Sequence, residues 1–192
     1  MTSTTIAAQR ARLARILYEK SYMEGDFTLT SGRKSDYYFD CRQSSLHPEG
    51  AFLIGSLFLS MMGDVPAQAV AGMTMGADPL VTATSVVAHG QGSFLPALIV
   101  RKEPKGHGTS RAIEGLANVQ EGWNVIVLED VVSTGGSVIK ACKRVEEAGM
   151  HVPAVFCILN REEGGVEALL EAGYPVKSIF TRSELVQLAR NA

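Results

Sequence analysis

Residues 125–137 read VIVLEDVVSTGGS, and this run constrains the fold and the chemistry of the chain more than any other. Its four leading apolar residues, mostly β-branched, predict a strand that is buried on both faces, as in a parallel sheet. Glu129 and Asp130 follow at its carboxyl end, then a turn of small and hydroxyl residues, then an amphipathic run that predicts a helix. The glycines let the turn fold tightly, so that backbone amides and the helix N-terminus can point at a phosphate.

The two acids distinguish this turn from a plain phosphate-binding loop. Two carboxylates would repel a phosphate that stood alone, whereas they can accept hydrogen bonds from the vicinal hydroxyls of a ribose. The run therefore predicts a site for a ribose phosphate. The alternative is an ordinary strand-to-helix turn that happens to end in acids.

The composition limits which partners the chain can serve. It has 192 residues, of which 46% are hydrophobic and 20% charged, enough for a single domain, 1–192, with one buried core. A net charge of −2 gives no electrostatic case for nucleic acid or for an anionic membrane. The apolar runs are too short to span a bilayer, and the first residues lack the pattern of a secretory signal. Three widely spaced cysteines favour reduced thiols and a cytoplasmic location.

Beyond residue 50, predicted strands and helices alternate, which indicates an α/β protein with an open parallel sheet and helices on both faces. The expected strands are 67–72, 94–100, 125–128, 152–159 and 176–180, and the expected helices are 47–62, 76–88, 138–145, 164–172 and 182–190. Before them, a helix at 5–20 and a hairpin of 27–30 and 37–40 predict a small cap, 1–45. We expect this cap over the carboxyl edge of the sheet, where open α/β folds bind ligands.

A basic segment, RKEPKGHGT at 101–109, directly follows a predicted strand. No hydrophobic period runs through this segment, so we expect it to be mobile, and we expect no strand within 102–115. Its basic groups are Arg101, Lys102, Lys105 and His107, and on a mobile arm they could clamp a pyrophosphate and then release it. A solvated surface loop is the alternative for so charged a stretch.

The run at 129–137 resembles the phosphoribosyl-pyrophosphate (PRPP) signature of type I phosphoribosyltransferases. The basic loop resembles the catalytic loop of one family among them, the orotate phosphoribosyltransferases. Three more segments are similar to that family, in the same order along the chain: FTLTSGRKSDYYFD at 27–40, GMTMGADP at 72–79 and NREEGG at 160–165.

The resemblance implies a type I phosphoribosyltransferase fold with an N-terminal hood, and an enzyme of de novo pyrimidine biosynthesis. Such an enzyme transfers the 5-phosphoribosyl group from PRPP to orotate, giving orotidine 5′-monophosphate and pyrophosphate. It implies Mg²⁺ held mainly by substrate oxygens, with Asp130 as the protein group that could reach it. It also implies a homodimer that shares the catalytic loop across its interface.

Two other functions compete with this one. The first is a phosphoribosyltransferase for another base, which the segment at 160–165 and the basic loop argue against. The second is a non-catalytic PRPP-sensing regulator, which would need a basic face or an added helix-turn-helix. The chain offers neither the charge nor the room for one.

The resemblance also assigns the site residues. PRPP contacts are expected from the acids, the turn and the loop, that is from Glu129, Asp130, Val131, Val132, Ser133, Thr134, Gly135, Gly136, Ser137, Arg101, Lys102, Lys105 and His107. Lys105 is the expected main partner of the departing pyrophosphate, and the other three loop residues assist it. Orotate contacts are expected from Ser133, Arg161, Tyr38 and Phe39. The Arg161 guanidinium can meet the orotate carboxylate at two points, which lysine could not do.

Strand alternation limits what the aromatic residues of the hairpin can do. It places Tyr38 on the face opposite Tyr37 and Phe39, so the three cannot all touch one ligand.

Two positions depart from the family pattern. Many members have lysine where this chain has Thr30 and Met75, so the contacts of those lysines cannot be carried over. Arg33 or Lys34 could compensate in part. Asn160 replaces the usual aspartate, a milder change because the arginine beside it is kept. We interpret these as subfamily differences, since the loop and the acid pair are intact; a loss of activity is the alternative.

Overall fold

The structure is a computed structural model that describes residues 5–28, 34–63, 65–103 and 112–190. Its main sheet has six strands in the order β5-β4-β3-β6-β7-β8. These strands are β3 (Ala69–Met73), β4 (Ala97–Val100), β5 (Ile113–Glu114), β6 (Val125–Val132), β7 (Val155–Asn160) and β8 (Val176–Thr181). All pairs except the one between β4 and β5 are parallel, so the predicted parallel sheet is confirmed with one antiparallel edge strand added.

That edge strand corrects one prediction. We expected no strand within 102–115, yet Ile113 pairs with Val100 and Glu114 pairs with Ile99. A strand of two residues is too short to show a hydrophobic period, which is why the pattern missed it. Most of the predicted loop falls within 104–111, which lies outside the described residues.

Helices cover both faces of the sheet, as the alternation predicted. On one face pack α3 (Pro48–Met62) and α4 (Asp78–Gly90), and on the other α5 (Gly136–Glu147) and α6 (Gly165–Glu171). In β6, Ile126 and Leu128 belong to the first apolar cluster, whereas Val125 and Val127 belong to the second. The alternation of side chains along a strand thus divides this apolar run between two cores.

The central strand ends unevenly. Its pairing with β3 stops at Leu128, which faces Gly72, while its pairing with β7 continues to Val132. The last residues of β6, including Glu129 and Asp130, therefore have a neighbouring strand on one side only. This step in the sheet opens a crevice at its carboxyl edge, which is where ligands bind in open α/β folds.

The N-terminal segment serves both the core and the edge of the sheet. Helix α1 (Ile6–Ser21) buries Leu13, Ile16 and Leu17 in the first core, where helix α7 (Arg182–Arg190) also packs. Strands β1 (Tyr22–Thr28) and β2 (Lys34–Phe39) then form an antiparallel hairpin outside the main sheet.

Short elements complete the chain. A single helical turn, α2 (Arg42–Ser45), follows the hairpin, and a 3₁₀ turn (Leu116–Asn118) precedes β6; neither was predicted. Within the described ranges, no helix combines the length and the apolar character that crossing a membrane requires. The three cysteines, Cys41, Cys142 and Cys157, are all buried and free.

Candidate active site

A cavity of about 380 Å³ lies at the carboxyl edge of the sheet, beside the step between β3 and β6. The predicted site residues that line it are Tyr38, Phe39, Lys102, Glu129, Asp130, Val131, Ser133, Ser137 and Arg161. The hairpin, the end of β6 and the loop after β7 thus converge on one space. Of the other predicted site residues, Val132 is buried in the second core. Lys105 and His107 lie outside the described residues, so their roles stay predictions.

The acid pair sits on the open side of β6. The backbone amide of Asp130 donates to Glu129 Oε1 over 3.0 Å, and the amide of Val131 donates to Asp130 Oδ1 over 2.8 Å. Glu129 is only 6% exposed. Burial raises the pKa of Glu129 well above its ordinary value, and the charge of Asp130 raises it further.

A glycine turn packs directly against these acids. A Cβ on Gly76 would lie 2.7 Å from Asp130 Oδ2, so no larger residue fits without displacing the carboxylate. In the same turn the Thr74–Met75 peptide is cis, and Thr74 Oγ1 donates to Asp78 Oδ2 over 2.9 Å. Met75 lines the cavity and is exposed. This is the segment that resembles the family's pyrophosphate turn.

The turn after β6 brings the N-terminus of α5 to the cavity. Gly135 adopts φ = +81°, a conformation that favours glycine, and the helix begins at the next residue. Ser133 and Ser137 line the cavity on either side of this turn. Because the first amides of a helix have no partner within it, the turn suits a phosphate group.

The turn after β6 also touches the loop after β7, backbone against backbone. A Cβ on Gly135 would lie 2.9 Å from the carbonyl oxygen of Gly165, and a Cβ on Gly165 would lie 2.5 Å from that of Ser133. Both positions therefore require glycine. The contact fixes the distance between the phosphate turn and the loop that carries Arg161.

Arg161 is held from the hairpin side. Its Nε donates to the hydroxyl of Tyr37 over 2.8 Å, and its guanidinium carbon lies 4.8 Å from the centroid of the Tyr37 ring. Its Nη2 lies 3.2 Å from Glu163 Oε1. That nitrogen is nevertheless buried without a hydrogen-bond partner among the described residues. A buried, unsatisfied donor of this kind costs free energy unless a ligand completes it.

The loop around Arg161 is anchored to the start of α7. Glu162 adopts φ = +60°, and its amide donates to the side chain of Asn160 over 2.8 Å. Its carboxylate then accepts from Ser183, from the amide over 3.0 Å and from the hydroxyl over 2.7 Å. Asn160, the departure from the family pattern, therefore shapes the loop through a backbone contact.

The hairpin alternates as predicted. Tyr37 is 1% exposed and Phe39 is buried, whereas Tyr38 is 37% exposed. Tyr38 and Phe39 line the cavity, and Tyr37 reaches the site through Arg161. The sequence offered no signal for this role of Tyr37, because the contact joins residues far apart in the chain.

The structure describes the start of the basic loop as far as Glu103. Lys102 lines the cavity, whereas Arg101 pairs with Glu114 of β5 at 2.5 Å and does not line it. Arg144 of α5 donates to the carbonyl oxygens of Arg101 and Lys102, the latter over 3.0 Å. Arg144, which sequence reasoning missed, thus ties the start of the loop to the helix that follows the phosphate turn.

One further cation in the cavity was also missed. Arg42 lines the wall and forms two hydrogen bonds with Asp40, of 2.8 and 3.1 Å. Lys34, which we expected to compensate for the absent lysines, is exposed and is not part of the described cavity lining; Arg33 lies outside the described residues. No sequence signal separates Arg42 from an ordinary surface arginine.

Together, the stepped sheet, the hood of the hairpin and a cavity with an acid pair beside a helix N-terminus define a type I phosphoribosyltransferase. No protein-family model matches the chain. It is 48% identical over 181 residues to the orotate phosphoribosyltransferase of Thermosynechococcus vestitus, covering 94% of this chain and 95% of that protein. The chain belongs to the orotate phosphoribosyltransferase family.

Solved structures agree with this assignment. The orotate phosphoribosyltransferase of Mycobacterium tuberculosis H37Rv superposes with a TM-score of 0.81 at 36% identity, covering 92% of this chain and 98% of that one. Its complex with PRPP gives a TM-score of 0.77 at 32% identity, covering 93% and 99%. The family and the fold class that the motifs predicted are confirmed.

Proposed function

We propose that this chain transfers the 5-phosphoribosyl group of PRPP to orotate, giving orotidine 5′-monophosphate and pyrophosphate in de novo pyrimidine biosynthesis. One observation carries the proposal. A single cavity joins an acid pair beside a helix N-terminus to an arginine, Arg161, that has a buried donor without a hydrogen bond among the described residues. The acid pair and the helix N-terminus suit a ribose phosphate, and the arginine suits a carboxylate. The relative from M. tuberculosis has been solved with PRPP bound.

The end of β6 and the turn after it would hold PRPP. Asp130 and Glu129 would accept hydrogen bonds from the ribose hydroxyls, which matches their place on the open side of the strand. The amides at the start of α5, with the hydroxyls of Ser133 and Ser137, would surround the 5′-phosphate. This arrangement fixes the anomeric carbon relative to the sheet.

The hairpin and the loop after β7 would hold orotate. Arg161 would bind its carboxylate, with Tyr38 and Phe39 as the aromatic surface and Ser133 nearby. The Gly135–Gly165 contact sets the separation of the two substrates, because it joins their loops directly. Holding two reactants in this way accounts for a large part of the rate enhancement that an enzyme can supply.

The reaction requires electrostatic stabilisation of the transition state and no covalent intermediate with the protein. As the bond to pyrophosphate breaks, positive charge develops on the ribose ring and negative charge on the leaving group, as in glycoside cleavage. The acids would lie beside the ring, and Lys102, which lines the same cavity, would face the leaving group. Fixed charges in these places stabilise the transition state more than the ground state.

The donor set of the cavity fits Mg²⁺ that is held mainly by substrate. No cluster of three metal-ligating side chains occurs among the described residues, while Asp130 presents a carboxylate to the cavity. Mg²⁺ prefers phosphate oxygens and one or two carboxylates, and it would neutralise charge on the pyrophosphate. Asp130 is the residue that would contact it.

Lys105 is the proposed main partner of the pyrophosphate, with Lys102, His107 and Arg101 assisting. Arg101 would first have to leave its ion pair with Glu114. We expect Lys105→Ala to lower kcat by about hundredfold or more, since it removes a transition-state charge contact. Steady-state kinetics with both substrates would measure this, and a near-normal kcat would refute the role.

A second copy of the chain is the proposed partner. Large apolar side chains stand exposed near the start of α3, on α4 and beyond it, namely Leu46, Phe52, Val86 and Phe94. Sedimentation equilibrium would give the assembly state, and Phe52→Lys should weaken a dimer that covers this surface.

To test loop sharing, Lys105→Ala would be mixed with Asp130→Asn. Recovered activity in the hybrid would mean that the loop serves the partner's site, and no recovery would mean that it serves its own.

A cytoplasmic location is part of the proposal. It is supported by the thiols, since all three are buried and free and would not need an oxidising compartment.

The first experiment is a consumption assay with PRPP and Mg²⁺ in which orotate, uracil, nicotinate, adenine and hypoxanthine are offered separately. We expect loss of orotate alone, with release of pyrophosphate. Consumption of another base would keep the PRPP site but overturn the role of Arg161. Binding of PRPP without turnover of any base would favour the regulator.

A further inference from the structure

Tyr37 contacts the guanidinium of Arg161 without itself lining the cavity. Its hydroxyl accepts the Nε hydrogen over 2.8 Å, and its ring lies 4.8 Å from the guanidinium carbon. The tyrosine therefore contacts the arginine both through its hydroxyl and through its ring face. A hydrogen bond to a charged group is about twice as strong as one between neutral groups.

This contact decides which edge of the guanidinium is left for a ligand. An arginine can meet a carboxylate side-on, through Nε and one Nη, or end-on, through its two Nη atoms. Because Tyr37 occupies Nε, the end-on pair remains. Nη2 of that pair lies at ion-pair distance, 3.2 Å, from Glu163 Oε1, but it is buried and makes no hydrogen bond among the described residues.

Tyr37 is itself fixed by aromatic and cationic neighbours. Its ring stacks on Tyr22 at a centroid distance of 5.5 Å, and Tyr22 stacks on Tyr18 of α1 at 5.2 Å. The guanidinium carbon of Arg182, at the start of α7, lies 4.1 Å from the Tyr37 centroid. A ring that is 1% exposed and packed in this way has little freedom to rotate.

We propose that Tyr37 is a positioning residue for orotate selectivity, which holds Arg161 by Nε and so directs its two Nη atoms end-on at the orotate carboxylate. This inference rests on the proposed function, since it takes Arg161 as the carboxylate-binding group. It predicts that the hydroxyl of Tyr37 matters for orotate and not for PRPP. It also predicts that the hydroxyl matters only while an arginine stands at 161.

The test is Tyr37→Phe, which removes the hydroxyl and keeps the ring and its cationic neighbours. We expect KM for orotate to rise about tenfold, as for loss of a hydrogen bond to a charged group, while KM for PRPP changes by less than about twofold. In an Arg161→Lys background, the same change should add little to the loss already present. Thermal unfolding of each variant would show whether the fold is kept.

The matched control is Tyr174→Phe. Tyr174 is also buried, and its hydroxyl donates to Glu146 Oε2 over 2.8 Å, at a distance from the cavity. Its loss should leave both KM values unchanged, so a general effect of losing a buried hydroxyl would be recognised.

The possible results separate this inference from the proposed function. An unchanged KM for orotate in Tyr37→Phe, or equal rises for orotate and PRPP, would overturn the positioning role. An additive effect in the Arg161→Lys background would overturn it as well. If the wild-type chain does not consume orotate, the proposed function fails instead, and that result is visible before any variant is made.

Discussion

Two walls enclose the cavity, and they are built differently. The sheet-edge wall comprises the end of β6, the turn at 129–137 and the turn at Gly76. The hairpin wall comprises residues 38–42 and Arg161, together with Tyr37, which contacts Arg161 without lining the cavity. The first is made largely of backbone amides and of glycines packed too closely to leave space for a Cβ. The second is made of long side chains that hydrogen-bond to one another.

The difference matches what each wall would have to recognise. A ribose phosphate is a charged group that is common to all PRPP reactions, and fixed backbone dipoles suit it. A base is the variable part of such reactions, and side chains can be exchanged without rebuilding the sheet. The contrast suggests that specificity for the base depends on the hairpin wall and binding of PRPP on the sheet-edge wall.

Arg161→Lys should produce the largest difference between the effect on orotate and the effect on PRPP. Lysine keeps the charge but loses the planar fork and the Nε contact with Tyr37. We expect kcat/KM for orotate to fall by up to about hundredfold, with PRPP binding almost unchanged. Steady-state kinetics would measure the first and calorimetry the second. Equal losses for both substrates would mean that the walls do not act separately.

Gly165→Ala should break the contact between the turn after β6 and the loop that carries Arg161. The added Cβ would lie 2.5 Å from Ser133 O and 2.8 Å from Val132 Cγ1, so the loops must move apart at a cost of about 2 kcal/mol. Chemical denaturation would give the loss of stability, and kinetics should show both KM values raised.

The control for that variant is Gly136→Ala, where no atom lies within 4 Å of the added Cβ. It should leave stability unchanged or slightly higher, because alanine favours a helix. If Gly165→Ala impaired only one substrate, the glycine contact would not set their separation.

Asp130→Asn tests the sheet-edge wall in the opposite direction from Arg161→Lys. Asparagine keeps an acceptor for the amide of Val131 but removes the charge that faces the cavity. We expect the Kd for PRPP, measured by calorimetry in the presence of Mg²⁺, to rise about tenfold. Unchanged PRPP affinity would count against the acid pair as the ribose site.

Glu129→Gln should show that the sheet-edge wall costs stability. Above its ordinary pKa of 4.5, an unfolded chain releases the Glu129 proton, whereas the raised pKa lets the folded protein keep it to higher pH. The folded state then binds more protons, so wild-type stability falls as pH rises through that interval. Glutamine removes this dependence and still accepts from the amide of Asp130.

We therefore expect Glu129→Gln to be more stable than wild type at pH 8, on the order of 1 kcal/mol, or about 2–4 °C in Tm. The advantage should shrink as pH falls towards 4.5 and disappear below it, where Glu129 is protonated in both states. Thermal unfolding across this pH range is the measurement. A constant difference would show that burial of the charge is not its cause.

The sheet-edge wall was largely predictable from sequence, and the hairpin wall was not. An apolar run, two acids and a glycine turn are adjacent in the chain, so their local pattern predicts their structure. The family resemblance supplied Arg161, but nothing indicated that Tyr37 holds it, because 123 residues separate them between positions 37 and 161. Arg42 and Arg144 were missed for the same reason, since their roles depend on tertiary contacts.

The step between β3 and β6 has one more consequence. Beyond Leu128, the backbone of β6 loses its neighbour on one side, and two of its amides turn to the carboxyl groups of Glu129 and Asp130. The two carboxylates thus accept hydrogen bonds from amides that have no neighbouring strand on that side. A ribose bound there would seal that side against solvent. Slower hydrogen exchange at the amides of 130 and 131 would then report occupancy of the sugar site directly, without any turnover.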